Sequence, residues 1–190
     1  MSDTVWGLVL SGGRSRRMGT DKALLETAGE TQLARTVGLL ARHLDRVFVS
    51  TRPDQADEPE RAKFEQIVDR YDDLGPVAGI LSAMSAHPDV AWLVVACDLP
   101  NVDDQTISNL LARRAASNPF TAYTSSHDGL PEPLCAIYEP HSAAIIGEMV
   151  GDGIRCPRKM LIRSDTHLLE QPNPEALHNV NTPDDLAAVQ

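Results

Sequence analysis

Residues 10–25 read Leu-Ser-Gly-Gly-Arg-Ser-Arg-Arg-Met-Gly-Thr-Asp-Lys-Ala-Leu-Leu, and the apolar run Val5 to Leu10 leads straight into them. A short apolar run bounded by glycine reads as a buried strand. The adjacent glycines Gly12 and Gly13 let successive backbone N–H groups approach an anion with no Cβ in the way. Arg14, Arg16, Arg17 and Lys22 then supply positive charge, so the stretch has the outline of a phosphate loop behind a first strand. Neither common glycine-rich nucleotide motif is present. The lysine follows an aspartate rather than the glycine a P-loop needs, and the glycines are not spaced as Gly-x-Gly-x-x-Gly.

Working outward, the alternation of apolar segments sets the fold class. Thr31 can cap a helix whose positions Leu33, Val37, Leu40, Ala41 and Leu44 recur at helical spacing. Lys22 to Leu25 is expected to begin a short extended piece. Arg46 to Ser50 reads as a second strand, Thr51 to Lys63 as a charged, proline-containing surface loop with room for a short helix, and Phe64 to Val68 as a third strand. Pro76 suits the first turn of a helix, where its missing N–H would have no partner, and Val77, Ile80, Leu81 and Met84 give that helix an apolar face. Val90 to Ala96 is a continuous apolar run, as in a central parallel strand covered on both faces. A helix from about Asp103 to Ala116 follows.

This order predicts a three-layer α/β/α fold with a mostly parallel central sheet and right-handed crossovers. Phe120 to Ser125 and Leu134 to Tyr138 read as two strands about a turn, which makes this end of the sheet mixed. His141 to Met149 reads as a helix broken by Gly151-Asp152-Gly153, and Thr182-Pro183-Asp184 opens a final helix.

The chain has 190 residues, which suits a single domain over 1–190. The net charge of −10, from 27 acidic and 17 basic residues, argues against a nucleic-acid binder, which needs a basic face. It also makes the cluster from Arg14 to Lys22 stand out. Cys97, Cys135 and Cys156 are too few and scattered for a disulfide framework or zinc knuckle and read as reduced thiols of a cytoplasmic protein. No apolar window is long enough for a membrane span and no signal peptide is evident, so no membrane partner is expected.

Ligands of such sheets sit beyond the carboxyl ends of the strands, where both Gly12 and Asp98 fall. Asp98 ends a buried strand and is suited to hold Mg²⁺ that bridges triphosphate oxygens, or is simply a turn aspartate. Lys22 is placed to meet phosphates on which charge develops, or is an exposed turn lysine. Arg17 offers a weaker phosphate contact. The histidines are scattered singly, so zinc catalysis is not indicated.

The pattern Gly12-Gly13-x-x-x-Arg17-Met18-Gly19-x-Asp21-Lys22 resembles the signature of nucleotidyltransferases that move a nucleoside monophosphate onto an acceptor phosphate, most closely the molybdenum cofactor guanylyltransferase family. Gly75-Pro-Val-Ala-Gly79, Cys97-Asp-Leu-Pro100 and Asn179-Val-Asn-Thr-Pro183 match further stretches in the family's order. The resemblance implies a Rossmann-like nucleotidyltransferase fold, with a nucleotide-binding part over about 1–118 and an acceptor-binding part over about 119–190. It implies GTP and molybdopterin-bound molybdenum cofactor as substrates, Mg²⁺ as the metal, and cofactor-biosynthesis or molybdoenzyme-maturation proteins as partners.

By the same resemblance Leu10, Ser11, Gly12, Gly13, Lys22, Ser50, Asp69, Gly75 and Asp98 meet the nucleotide, with Lys22, Arg17 and Asp98 catalytic and Asp98 on the metal. Asn179, Asn181 and Arg158 meet the acceptor. Ser50 stands where the family has asparagine and Ser11 where it has alanine. Gly13 and the Asn-Val-Asn-Thr-Pro ending resemble the guanine-using branch. A cytidylyl- or sugar-phosphate nucleotidyltransferase is the alternative, followed by a non-catalytic GTP-binding module.

Overall fold

The protein is described by a computed structural model over residues 4–12, 21–27 and 29–178. In chain order the elements are β1 (Val5–Leu10), β2 (Glu26–Thr27), β3 (Glu30–Thr31), α1 (Gln32–Ala41), β4 (Val47–Thr51), β5 (Gln66–Val68), α2 (Pro76–Ala86) and β6 (Ala91–Ala96). Then come α3 (Asp104–Ala112), β7 (Phe120–Thr124), β8 (Pro131–Tyr138), α4 (Ser142–Gly151), α5 (Pro157–Ile162) and β9 (Thr166–Leu169). Among the described residues seven strands form one sheet in the order β5-β4-β1-β6-β8-β7-β9, and β2 pairs with β3 separately. The block β5-β4-β1-β6 is parallel, β8 is antiparallel to both β6 and β7, and β9 closes the edge parallel to β7.

Period-two alternation divides the core between two faces. Val9, Leu93 and Val95 point to one side, with Leu33 and Leu40 of α1 and Ile107 and Leu110 of α3. Leu8, Trp92 and Val94 point to the other, with Val77, Ile80 and Met84 of α2, Ile146 of α4 and Met160 of α5. Every residue of β6 is buried, as its unbroken apolar run requires when both faces are covered. No described helix is long and apolar enough to cross a membrane.

Local chemistry starts the helices where the sequence predicts. The Thr31 hydroxyl accepts the Ala34 N–H at 3.0 Å to open α1, and Asp103 accepts the Thr106 N–H at 2.8 Å to open α3. Gly75, at φ 55°, adopts a backbone that a side chain would strain and delivers Pro76 into the first turn of α2.

Four expectations are corrected. Residues Lys22–Leu24 form a 3-10 turn rather than an extended piece, because Asp21 accepts the Ala23 N–H at 3.1 Å. Helix α3 stops at Ala112 rather than near Ala116, because the Ala115 N–H is taken by the Thr121 hydroxyl at 3.1 Å. The 51–63 segment has the short helical character expected of it, as 3-10 turns at Pro53–Gln55 and Arg61–Lys63, but it is not all surface, because the second turn buries the Arg61 side chain completely. Strand β9, which the sequence reading omits, has four residues, too few to display a period. The expected final helix lies outside the described residues.

Candidate active site

Pairing of Leu10 with both Ser50 and Ala96, and of Ser50 with Ile67, brings the carboxyl ends of the four parallel strands level. The chain reaches β4 from β1 through α1 on one face and returns to β6 through α2 on the other. The crevice at that reversal of direction is where such sheets bind ligands. A cavity of about 1180 Å³ opens there.

Its floor is the end of β1. The Ser11 hydroxyl donates to the Ser50 carbonyl at 2.9 Å, and the Ser11 N–H reaches the same oxygen at 3.3 Å, so the start of the loop is fixed to β4. A Cβ on Gly12 would rest 3.5 Å from both Arg52 Cγ and Asp69 Oδ2, an ordinary contact. The protein's own packing therefore tolerates a side chain there, and what glycine preserves is open space between those groups. Arg52 donates to the Gly12 carbonyl at 2.7 Å while also pairing with Asp54 at 2.9 Å.

On the next strands, the Ser50 hydroxyl donates to Asp69 at 2.8 Å. Burial pushes the Asp69 carboxyl above its ordinary range, while the Ser50 hydrogen bond and the Arg52 charge pull it back. Behind Ser50 stands Gly79 of α2. A Cβ there would fall 2.1 Å from Ser50 Oγ and 2.9 Å from its Cβ, so α2 can approach the sheet only with glycine at this position.

Across the cavity, Asp98 follows β6. Its Oδ1 is buried with no hydrogen-bond partner among the described residues. Burial raises the carboxyl above its ordinary range, and the Lys22 charge is the largest influence lowering it. Lys22 and Asp98, 76 positions apart in the chain, thus share one cavity and act on each other electrostatically. The neighbouring Cys97 is no nucleophile, since burial pushes its thiol up to about 12.

The described lining carries six aspartates, 21, 54, 69, 72, 73 and 98, against Lys22 and Arg52. A phosphate chain entering such a wall needs added cations. The orphaned oxygen of Asp98 fits a divalent ion that keeps several waters and takes its remaining ligands from phosphate. No cluster of three or more His, Cys, Asp or Glu side chains suited to a metal occurs among the described residues.

The structure brings Leu10, Ser11, Gly12 and Lys22 to this cavity, and with them Ser50, Asp69, Gly75 and Asp98. Arg158 does not line it. That side chain reaches Asp128 and Glu132, each at 2.9 Å, and its positive charge is met by both. Gly13, Arg17, Asn179 and Asn181 lie outside the described residues. Sequence reasoning passes over Arg52 and Tyr71 on the cavity wall and over Arg61, which is fully buried and does not line it. Arg52 opens an Arg-Pro-Asp-Gln stretch directly after a strand end, the one local signal available, whereas Arg61 sits in a charged run that reads as solvated.

Fold and site together define an α/β domain of the class that binds ligands at the carboxyl ends of its strands, with Lys22 and the partly unpartnered carboxylate of Asp98 lining one cavity there. A family profile described as "MobA-like NTP transferase domain" matches residues 7–168. The molybdenum cofactor guanylyltransferase of Pseudomonas paraeruginosa is 34% identical over 95% of this chain and 91% of that protein. The chain belongs to this family, the MobA-like nucleotidyltransferases that include the molybdenum cofactor guanylyltransferases. A molybdenum cofactor biosynthesis bifunctional protein of Synechocystis is 35% identical over 97% of this chain, which spans about half (53%) of that relative's length. The crystal structure of molybdopterin-guanine dinucleotide biosynthesis protein A from Archaeoglobus fulgidus shares the fold, with a TM-score of 0.79 over 96% of this chain and 95% of that one at 24% identity.

Proposed function

We propose that the protein transfers GMP from GTP to the terminal phosphate of molybdopterin-bound molybdenum cofactor, releasing pyrophosphate. The observation that carries this reading is the convergence of Lys22 and Asp98, from distant segments, on one cavity at the strand ends. The acceptor phosphate is largely deprotonated at neutral pH and needs no general base. Its oxygen forms the new bond to the α-phosphorus of GTP while the bond to the bridging oxygen of the β-phosphate breaks, and the electron pair leaves with pyrophosphate.

The chain's share is orientation and charge. Lys22 stabilises negative charge building on the phosphates, and the open space at Gly12 lets backbone groups approach them. Asp69, held by Ser50, and Gly75 border the nucleoside. Asp98 would hold Mg²⁺, which neutralises the triphosphate when bound. Arg17 is assigned a phosphate contact, Gly13 the nucleotide, and Asn179 and Asn181 the acceptor, which Arg158 would serve only by giving up Asp128 or Glu132. On this reading residues up to about 118 handle the nucleotide and 119–190 the acceptor, with Leu134 of β8 reaching the cavity from the second part. The setting is cytoplasmic, in keeping with three free thiols, and cofactor-biosynthesis or molybdoenzyme-maturation proteins take part upstream or downstream.

Pyrophosphate release is the test. Turnover that requires GTP, Mg²⁺ and molybdopterin together is expected. Turnover with CTP or with a sugar 1-phosphate in place of these substrates would move the protein to a sister activity, and GTP binding without release would make it a binding module.

A further inference from the structure

Arg61 is a charged side chain for which the transfer chemistry has no use. It is 0% exposed and does not line the cavity, so it touches no substrate. Its guanidinium nevertheless joins the segments that do. Nε donates to the Ser11 hydroxyl at 3.1 Å, and Nη2 donates to the Ser11 carbonyl at 2.9 Å and to Asp21 Oδ2 at 2.7 Å. Nη1 reaches Glu58 at 3.3 Å. Ser11 immediately precedes Gly12, and Asp21 immediately precedes Lys22. One planar group therefore bridges the residues before the two points at which the chain meets phosphate.

Each bridged residue has a further anchor of its own. Ser11 is bonded to β4 through the Ser50 carbonyl. Asp21 caps the turn that carries Lys22 and also receives the Gln55 amide at 3.3 Å. With Asp21 and Glu58 both against it, the positive charge of Arg61 is answered within the protein and is not directed at a ligand. Its rigid fork of donors is what a lysine could not reproduce.

We infer that Arg61 is a positioning residue that sets the separation of Gly12 and Lys22, fixing both ends of the phosphate loop at the spacing a triphosphate requires. Only the identity of the ligand rests on the function proposed above.

The test uses the full chain and a double-mutant cycle between Arg61→Met and Lys22→Met, read as the dissociation constant for Mg·GTP and as kcat and KM for pyrophosphate release. Arg61→Met is expected to lower kcat/KM about 10²-fold, the scale of a 1 Å misplacement. In that background Lys22→Met should cost about tenfold less than in the parent protein, because a misplaced lysine has less to lose. Arg61→Lys should resemble Arg61→Met, and Ser11→Ala should fall between them and the parent.

Without nucleotide, hydrogen exchange in Arg61→Met should quicken over residues 8–12 and 21–25 and stay unchanged over 131–138. Independent, multiplicative losses from the two substitutions, or exchange that quickens equally over 131–138, would overturn the inference and leave Arg61 a purely structural residue. Should Arg61→Met not fold, Arg61→Lys and Ser11→Ala run through the same cycle with Lys22→Met give the same decision. If the parent protein binds Mg·GTP but releases no pyrophosphate with molybdopterin, GMP transfer fails as a reading, and the cycle in dissociation constants still decides the role of Arg61.

Discussion

Glu139 and Asp98 are carboxylates just beyond the ends of neighbouring regions of one sheet, and they are treated in opposite ways. Glu139, which follows β8 and is 1% exposed, takes two hydrogen bonds from Arg114 at 2.6 and 2.7 Å. Asp98, which follows β6, keeps an oxygen with no hydrogen-bond partner among the described residues. The contrast extends to their surroundings. At the antiparallel end, Arg158 is met by two carboxylates, and the Tyr123 and Tyr138 hydroxyls donate to the carbonyls of Thr106 and Pro133 at 2.7 and 2.8 Å. Around the cavity, Asp69 and Asp98 sit above their ordinary titration range, and Asp73 is held at a positive φ of 56°. A buried charge that has its partner inside the protein is costly only when that partner is removed; one left for a ligand costs stability until the ligand arrives.

Three measurements probe that contrast. The largest effect is expected from Asp98→Asn, which removes the metal-competent carboxylate and should lower the rate of pyrophosphate release by about 10³-fold. Its melting temperature should not fall below the parent's. A clear loss of stability would mean that Asp98 is a structural group after all.

Arg114→Leu is the mirror experiment. Leaving Glu139 buried without its partner should cost about 3 kcal/mol in denaturant unfolding, the usual result of breaking a buried pair from one side. Activity per folded molecule should remain at the parent level, since the pair lies away from the cavity.

The smallest effect concerns pH. A carboxyl whose folded-state pKa is raised favours the folded state below its unfolded value, and that contribution is lost as pH rises through the folded value. Asp69 belongs to this class through burial, partly offset by Ser50 and Arg52. Asp69→Asn keeps an oxygen for the Ser50 hydroxyl and carries no charge, so it should be more stable than the parent at pH 7. The gain is a small rise in melting temperature, the least of the three effects. Melting curves should show it shrinking towards pH 4, near the ordinary value of an aspartate. A gain independent of pH would show that buried charge is not its cause.

The parts legible in the sequence are those whose cause is local. The run Val90 to Ala96 announces a strand covered on both faces, Thr31 announces a helix start, and a glycine pair behind an apolar strand announces an anion site. Gly12 and Asp98 could be placed beyond strand ends because each follows its strand within two residues. Arg61 and Arg114 escape such reading because their partners are distant: Ser11 and Asp21 lie 50 and 40 positions from Arg61, and Glu139 lies 25 from Arg114. Nothing in Pro-Glu-Arg-Ala-Lys separates a buried arginine from solvated ones. Arg158 shows the converse, since a basic residue in a suitable segment is occupied by Asp128 and Glu132, which only the folded chain brings to it.

The contact between Gly79 and Ser50 makes helix α2 a gauge for the width of the nucleotide crevice. Ser50 faces the helix with the same hydroxyl that steadies Asp69, so the missing side chain at 79 is felt as far as the end of β5. Bulk added at either position would wedge helix and sheet apart and unseat the carboxylate in one movement. Positions 50 and 79 are thus free to vary only as a couple.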